Sequence, residues 1–307
     1  MDQTAARNGH GTRDGDERPV KVLKFGGSSL ASAGRMAQVI EIVRTSARTH
    51  RLVVVVSAVG RTTDELVAFV SAEEAEAPSI SERVRSSHLE LAAGVVSDAL
   101  MPIYSRTLDA ILGELIPARS NSNWDAILAA GERMSVPLLS LALCEAGLRA
   151  EPFDATQFVR TDDSFGQAQV DVQETYRLVR TWHGGLDPEL IAVVTGFIGS
   201  TEDGRVTTLG RGGSDYSAAL LACALEAEAL ERWTDVDGLY TWDPRKRCGA
   251  RQLATIVLSE AVAWNRAGRL GMHRKALDPI VAASIPVYVR STFLPEHPGT
   301  VILPAAE

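Results

Sequence analysis

The sequence predicts an α/β protein, a three-layer αβα sandwich with a mostly parallel central sheet. A short β-type run at 20–25 is followed by a glycine turn and an amphipathic stretch to about Ser46. The same order returns at 52–56, which is apolar throughout, as expected of a strand covered on both faces, and then in a helix to about Val70. Two consecutive βα units favour parallel strands.

The rest of the chain continues the alternation of strands and helices. Residues 79–143 are rich in Ala, Leu, Glu and Arg, which predicts a helical bundle layered on the sheet. Beyond the bundle we predict short strands at 150–153, 191–195, 205–208, 229–234 and 286–289. Between these strands we predict helices at about 171–182, 214–227, 259–267 and 274–283.

The composition argues against several classes of protein. With 31 basic and 39 acidic side chains among 307 residues, the formal net charge is −8, which disfavours nonspecific binding to nucleic acid or to an anionic membrane. The longest apolar stretches, such as 52–56 and 218–225, are much shorter than a membrane span requires. Cys144, Cys223 and Cys248 are odd in number and distant in sequence, so they predict neither a disulfide framework nor a metal site.

The first residues of the chain predict a tail rather than part of the fold. Residues 1–19 contain almost no apolar surface and no secretory signal, so we expect a disordered tail and a cytoplasmic protein. The fold then begins at Val20. Glycines cluster at 199–213, and we place there the boundary between two lobes, about 20–200 and about 201–307.

Glycine-rich turns after predicted strands are the candidate functional segments, because the sequence contains neither a Walker-type phosphate loop nor a GxGxxG turn. The first turn, 24–29, reads Lys-Phe-Gly-Gly-Ser-Ser. Gly26 and Gly27 let backbone amides approach an anion, and Lys24 adds a positive charge beside them. This pattern predicts a phosphate-binding turn, with a plain tight turn and a solvated lysine as the alternative.

Two later segments extend the pattern. In 208–217, Ser214 is a candidate N-cap and Arg211 can hold a carboxylate through two hydrogen bonds, while Asp215 alternatively only complements the helix dipole. In 234–245, two turns flank aromatic residues that can contact an adenine, and an arginine follows that can reach phosphates. Taken alone, that segment is more typical of an ordinary loop.

Together these segments resemble the successive motifs of aspartate kinases in the amino acid kinase family. The motifs follow the family's order across roughly residues 20–303, so nearly the whole chain is covered. They lie at 24–29, 55–58 with Thr63, 131–135, 160–166, 196–199, 208–216 and 234–245. The resemblance implies transfer of the γ-phosphoryl group of ATP, with Mg²⁺, to the side-chain carboxylate of L-aspartate. It also implies a homodimer.

The resemblance assigns roles to individual residues. It implies that Lys24 stabilises the charge of the transition state and that Asp215 organises the reacting groups rather than acting as a base. Arg211 and Glu132 match the α-carboxylate and the α-ammonium of aspartate, although Glu132 is alternatively a capping or solvated helix residue. The neutral substrate donors implied are Ser57, Thr63 and Ser214. The nucleotide-binding residues implied are Lys24, Gly26, Gly27, Ser28, Thr234, Asp235, Tyr240 and Arg245, with no metal ligands in the chain.

The sequence departs from the family pattern in the segment 268–274. Family members carry a lysine there that reaches the nucleotide, whereas Leu270 fills that position here, flanked by Arg269 and followed by Arg274. We therefore expect weaker or altered binding of ATP, which the Michaelis constant for ATP of a Leu270→Lys variant tests. His273 is interpreted as a packed or surface histidine.

The sequence ends after the kinase lobe, so we assign 20–307 to one catalytic domain and expect no regulatory domain. Inhibition by lysine or threonine is then not expected, because an effector needs a second site with differential affinity for two states. Two other functions stay open. One is a kinase of the same fold acting on another amino acid or small carboxylate, and the other is a catalytically silent partner subunit of a kinase.

Overall fold

The computed structural model describes residues 18–120, 123–242, 249–266 and 274–304. Its strands are β1 (Val20–Phe25), β2 (Arg51–Val56), β3 (Ala150–Phe153), β4 (Ile191–Thr195), β5 (Ile198–Ser200), β6 (Val206–Thr208), β7 (Ala229–Thr234), β8 (Leu239–Tyr240), β9 (Gln252–Leu253), β10 (Thr255–Val257), β11 (Val287–Ser291) and β12 (Thr300–Leu303). Its helices are α1 (Gly27–Leu30), α2 (Ala33–Ala47), α3 (Thr62–Ser71), α4 (Ala77–Ala93), α5 (Met101–Gly113), α6 (Leu115–Ser120), α7 (Trp124–Glu145), α8 (Val172–Gly184), α9 (Gly213–Ala224), α10 (Leu258–Arg266) and α11 (Arg274–Ala283).

Eight of these strands form one sheet in the order β10-β12-β11-β7-β1-β2-β4-β3. Every pair in it is parallel except β11 with β12. Two small antiparallel pairs, β5 with β6 and β8 with β9, lie outside the sheet. The mostly parallel sheet that the sequence predicts is therefore confirmed, and the carboxyl ends of its central strands meet at one edge.

Helices cover both faces of the sheet. On one face, α2 to α7 pack against side chains such as Leu23 and Phe25 of β1. On the other face, α8 to α11 pack against Val22 and its neighbours. Because alternate residues of a strand point to opposite faces, β1 contributes to both cores. This arrangement is the predicted αβα sandwich, and the helical bundle predicted for 79–143 forms most of one layer.

The longest helix runs through the interior. Among the described residues, α7 alone is long and apolar enough to cross a membrane, but 72% of its most apolar window is buried inside the fold. Its N-cap is Asn123, whose side chain accepts a hydrogen bond from the amide of Ala126. This helix carries Glu132, so it brings a carboxylate into the body of the protein.

The fold begins slightly earlier than the sequence suggests. Arg18 and Pro19, which we assigned to the tail, contact the body of the protein. The Arg18 guanidinium donates to the carbonyl of Ala47 at 2.9 Å and to Glu189 Oε1 at 2.6 Å, and the Pro19 carbonyl accepts from Arg51. Polar composition alone does not reveal such anchoring contacts. Residues 1–17 lie outside the described part of the chain, and the division into two lobes stays a prediction.

Candidate active site

A cavity of about 400 Å³ opens where the carboxyl ends of the central strands meet. The residues predicted as catalytic or substrate-binding all line it: Lys24, Ser57, Thr63, Glu132, Arg211, Ser214 and Asp215. The remaining lining residues are Leu128, Gly166, Phe197, Thr208, Gly210, Gly212 and Gly213. Another cavity, of about 730 Å³, lies beside α3 and α4 and contains neither Lys24 nor Asp215. Burial of the charged groups, rather than size, identifies the candidate site: Lys24, Glu132 and Asp215 are buried. The charged residues that line the larger cavity, such as Arg61 and Glu82, are exposed.

A buried carboxylate between two cations lies at the centre of the site. Lys24 Nζ is 2.8 Å from Asp215 Oδ1, and Arg232 Nε is 3.2 Å from Asp215 Oδ2. Burial opposes ionisation of Asp215, but Arg232 and Lys24 outweigh it and lower the pKa to about 2. Asp215 is therefore ionised at neutral pH and unsuited to accept a proton.

Arg232 belongs to this cluster although we did not select it from the sequence. It is the register partner of Lys24 across the β1–β7 pair, so strand pairing places the two cations side by side. The signal in the sequence is the pair Glu231-Arg232 inside the otherwise apolar predicted strand at 229–234. Charged residues in a covered strand require partners, but the sequence does not say which.

Glu132 is buried in the middle of α7 rather than capping or solvated. Its Oε1 accepts a hydrogen bond from the Ala58 amide at 3.0 Å, whereas Oε2 has no hydrogen-bond partner among the described residues. Burial raises the pKa of Glu132 to about 8, against the smaller opposing effects of the Ala58 amide and of Lys24. An unpaired buried carboxylate oxygen in a cavity wall is a position suited to a cationic ligand group.

The loop before α9 differs from the prediction. We predicted Ser214 as the N-cap, but the cap is Gly212, with φ of 74°, and the helix begins at Gly213. Gly210 also has a positive φ, 75°, so two left-handed residues turn the chain, a conformation that glycine adopts without steric cost. Ser214 consequently lies in the first helical turn and lines the cavity. Arg211, between the two glycines, is an exposed residue at the cavity wall.

Asp125 anchors this loop to the first turn of α7. Its buried Oδ2 accepts hydrogen bonds from the amide of Thr208 at 2.6 Å and from the amide of Gly166 at 2.9 Å. Thr208 Oγ1 lies in the cavity wall and has no hydrogen-bond partner among the described residues. We selected neither side chain from the sequence as a site residue, because their role depends on contacts between distant segments.

Phe197 forms another part of the cavity wall in an uncommon conformation. Its φ is 70°, in the left-handed region that a bulky residue seldom adopts. The Phe197 amide donates to Ser217 Oγ at 3.0 Å, and the Phe197 carbonyl accepts from the Leu209 amide at 2.8 Å. These bonds hold the turn after β4 against α9 and against the loop that precedes that helix.

The residues predicted to bind the nucleotide, other than Lys24, do not line this cavity. Gly26, Gly27 and Ser28 form the turn from β1 into α1, and the Gly26 amide donates to the Trp233 carbonyl of β7. Thr234 ends β7 and Asp235 follows it, so these two residues lie at the same sheet edge as the glycine turn.

Tyr240 lies in the small β8–β9 pair, where its hydroxyl donates to the carboxylate of Asp237 at 2.9 Å. Arg245, Leu270 and His273 lie outside the described residues. Within the described ranges, no group of three or more His, Cys, Asp or Glu side chains can hold a metal ion.

A model of the amino acid kinase family matches residues 19–291 of the chain. The chain belongs to the amino acid kinase family. The chain is 35% identical over 288 residues to lysine-sensitive aspartokinase 3 of Escherichia coli K12, covering 92% of this chain and 64% of that protein. It is 34% identical over 284 residues to the aspartokinase of Mycolicibacterium smegmatis, covering 92% of this chain and 56% of that protein.

Solved structures show the same relationship. The crystal structure of E. coli aspartokinase III in complex with aspartate and ADP superposes with a TM-score of 0.85 at 34% identity, covering 94% of this chain and 65% of that one. The carbamate kinase from Giardia lamblia, bound to AMP-PNP, has a TM-score of 0.58 at 13% identity and shares the fold. The chain thus spans less than two thirds of the length of these aspartokinases.

Proposed function

We propose that this amino acid kinase transfers the γ-phosphoryl group of ATP to the side-chain carboxylate of L-aspartate, giving 4-phospho-L-aspartate and ADP. The observation that carries the proposal is the cavity that joins Lys24 and Asp215 to Arg211 and Glu132. The aspartokinase relatives, one of them solved with aspartate and ADP, support the same assignment.

The charges of the cavity match those of aspartate. Arg211 can hold the α-carboxylate with two parallel hydrogen bonds. Glu132 Oε2 can accept a hydrogen bond from the α-ammonium group, because it has no hydrogen-bond partner among the described residues. Ser57, Thr63 and Ser214 surround these groups as neutral donors. The side-chain carboxylate is then left to face Lys24.

The chemistry requires positioning and charge neutralisation rather than a base. The acceptor carboxylate is already ionised at neutral pH. Its oxygen attacks the γ-phosphorus, the bond to the bridging oxygen of the β-phosphate breaks, and ADP leaves with that electron pair. Lys24 lowers the repulsion between the two anions, and Asp215, with both oxygens next to cations, orients Lys24.

The nucleotide phosphates are proposed to lie against the glycine turn. A Cβ added at Gly26 would sit 3.7 Å from Lys24 Nζ, so this glycine leaves open the space beside the ammonium group. Thr234 and Asp235 lie at the same edge for the nucleoside. Mg²⁺ is proposed to arrive bound to the phosphates of ATP, where it would neutralise part of their charge.

The test is a hydroxamate trap of the acyl phosphate with MgATP and aspartate, glutamate or no acceptor. We expect product with aspartate, and we expect Lys24→Met to lower its rate by about 1,000-fold, as for loss of a charge-stabilising group. Lys21→Met is the matched control, since Lys21 is on the same strand and pairs with Glu231 on the opposite face. Product with glutamate alone would favour the other-acceptor kinase, and no product with any acceptor would favour the silent subunit.

A homodimer, a cytoplasmic location and insensitivity to lysine and threonine stay predictions. Sedimentation analysis tests the first of these. Addition of each amino acid at about millimolar concentration to the hydroxamate assay tests the last, because an allosteric effector would shift the rate.

A further inference from the structure

Asp215 has two cationic partners, Lys24 and Arg232, whereas the proposed reaction assigns a role to Lys24 alone. Lys24 approaches Oδ1 and Arg232 approaches Oδ2, each from a neighbouring strand of the sheet. All three side chains are largely buried, with exposed fractions of 10% for Lys24, 9% for Asp215 and 15% for Arg232. The two cations are thus held at a fixed spacing on either side of a single negative charge.

The second cation matters when Lys24 acts. If Lys24 turns toward the phosphoryl group, Asp215 loses a partner, and a buried charge left without a partner is strongly destabilising. Arg232 cannot follow the phosphates in the same way, because Lys24 lines the cavity whereas Arg232 is not among the residues that line it, and Arg232 Nε lies 3.2 Å from Asp215 Oδ2. It therefore remains beside Asp215 throughout.

We propose that Arg232 is a positioning residue, the fixed counter-ion that keeps Asp215 ionised and in place while Lys24 leaves it for the phosphates of the nucleotide. The proposal rests on the proposed function for the direction in which Lys24 moves. Arg232 would lower the cost of that movement, so it would support both nucleotide binding and phosphoryl transfer without contacting either substrate.

The electrostatics of the cluster agree with this assignment. The charged groups that face Asp215 among the described residues are Lys24 from β1 and Arg232 from β7, and the two together hold the pKa of Asp215 far below its ordinary value. Arg232 has the larger Coulombic effect of the two. Without Arg232, Asp215 would depend on Lys24 alone and would hold that lysine more tightly.

The principal variant is Arg232→Gln, with Lys21→Gln as the matched control. Lys21 of β1 pairs with the buried Glu231 of β7 at 3.3 Å on the opposite face of the same two strands, so its loss reproduces the structural cost without touching the site. We expect Arg232→Gln to lower kcat about 100-fold, in the range found for lost electrostatic groups. Lys21→Gln should leave kcat unchanged, and Arg232→Lys should recover most of the activity.

Two readouts separate a positioning role from a structural one. The first is the recovery of kcat and of nucleotide affinity in Arg232→Lys, which restores a cation beside Asp215 Oδ2. In the Asp215→Asn background, Arg232→Gln should cause little further loss, since the two residues act as a unit. Additive losses, or no recovery in Arg232→Lys, would overturn the proposal.

Nucleotide binding tests the proposal independently of the acceptor. The dissociation constant for a non-hydrolysable MgATP analogue, measured by calorimetry, should rise about tenfold in Arg232→Gln and stay unchanged in Lys21→Gln. That result would hold even if the wild-type kinase proved not to phosphorylate aspartate, which would contradict the proposed function only. Equal affinities of wild type and Arg232→Gln would overturn the inference whatever the acceptor.

Discussion

Glu132 on α7 and Ala58, two residues after the end of β2, are joined by a 3.0 Å hydrogen bond from the Ala58 amide to Glu132 Oε1. This bond fixes the carboxylate while Oε2 remains without a partner among the described residues. The preceding residue, Ser57, lines the same cavity. The end of the strand therefore both orients the carboxylate and supplies a neighbouring hydroxyl.

Replacement of Glu132 by glutamine should weaken aspartate binding selectively. Loss of one charged hydrogen bond is worth about 1.5–3 kcal/mol, so KM for aspartate should rise by about 10- to 100-fold, with KM for ATP unchanged. Steady-state kinetics with each substrate varied in turn measure both constants. An equal rise in the two constants would contradict a role in binding the α-ammonium.

The pH dependence should change in the same variant. The pKa of Glu132, raised by burial to about 8, means that the carboxyl of the free kinase is protonated below that pH. Because the ionised form pairs with ammonium, kcat/KM for aspartate should rise about tenfold per pH unit between pH 6 and 8 in the wild type. Glu132→Gln should lose this rise, and a persisting rise would point to another group.

Gly27 and Gly26 should tolerate alanine very differently. A Cβ at Gly27 would lie 2.4 Å from the Ala58 carbonyl oxygen, so the backbone must move, whereas a Cβ at Gly26 meets nothing closer than Lys24 Nζ at 3.7 Å. Gly27→Ala should lower the free energy of unfolding by about 1–3 kcal/mol. Gly26→Ala should leave it within about 0.5 kcal/mol and raise KM for ATP. Urea unfolding of both variants measures these free energies. A Gly26→Ala variant that is less stable than Gly27→Ala would contradict the prediction.

Asp125 should stabilise the loop that carries Arg211. Asp125→Ala removes the acceptor of two buried amides, those of Thr208 and Gly166, and should cost about 3 kcal/mol of unfolding free energy. Asp125→Asn keeps an acceptor oxygen and should cost less than half of that. KM for aspartate should rise in the alanine variant as the loop shifts. Equal stabilities of the two variants would contradict this account.

Acid should destabilise the fold through His88. His88 lies between Thr62 and Tyr104, with Nε2 3.0 Å from Thr62 Oγ1 and Nδ1 2.7 Å from the Tyr104 hydroxyl. Burial lowers its pKa to about 4, below the ordinary 6.5. The unfolded chain therefore binds a proton first, so stability is full above pH 6.5 and falls as the pH drops toward 4, by up to about 3 kcal/mol.

The measurement for His88 is urea unfolding at pH 7 and pH 5. His88→Gln should be less stable than wild type at pH 7 but should lose less stability at pH 5. His183, whose pKa burial also lowers to about 4, should make a separate contribution of the same sign, so the variant that carries both His88→Gln and His183→Gln should lose less stability at pH 5 than either single variant. An unchanged pH dependence in His88→Gln would show that His88 does not carry the effect.

Much of the fold follows from local pattern. Strand β4 and helix α11 have the predicted bounds, and α8 and α10 differ by one or two residues, because buried strands and amphipathic helices have distinct periods. The cap of α9 does not follow from pattern. Three glycines surround Arg211, and the sequence does not say which of them adopts the left-handed conformation that ends the turn.

The site depends on what only the folded chain brings together. The cavity residues come from segments between Lys24 and Asp215, and the resemblance to family motifs, rather than their spacing, selected most of them. We did not predict Arg232 as a site residue, because strand register determines that it lies beside Lys24. We did not predict Asp125 either, because its role is to accept hydrogen bonds from the amides of two segments that are distant in sequence. Local sequence contains neither relationship.

The position of β1 bears on how the kinase moves. Hydrogen-bonded partners flank this strand on both sides, β2 and β7, along Lys21–Phe25. Its amides should therefore be among the slowest of the chain to exchange with deuterium, since releasing them requires separation of the sheet at its middle. Lys24, which we propose to be catalytic, thus lies on a rigid backbone, and any motion in the proposed reaction is confined to its side chain and to the loops around it.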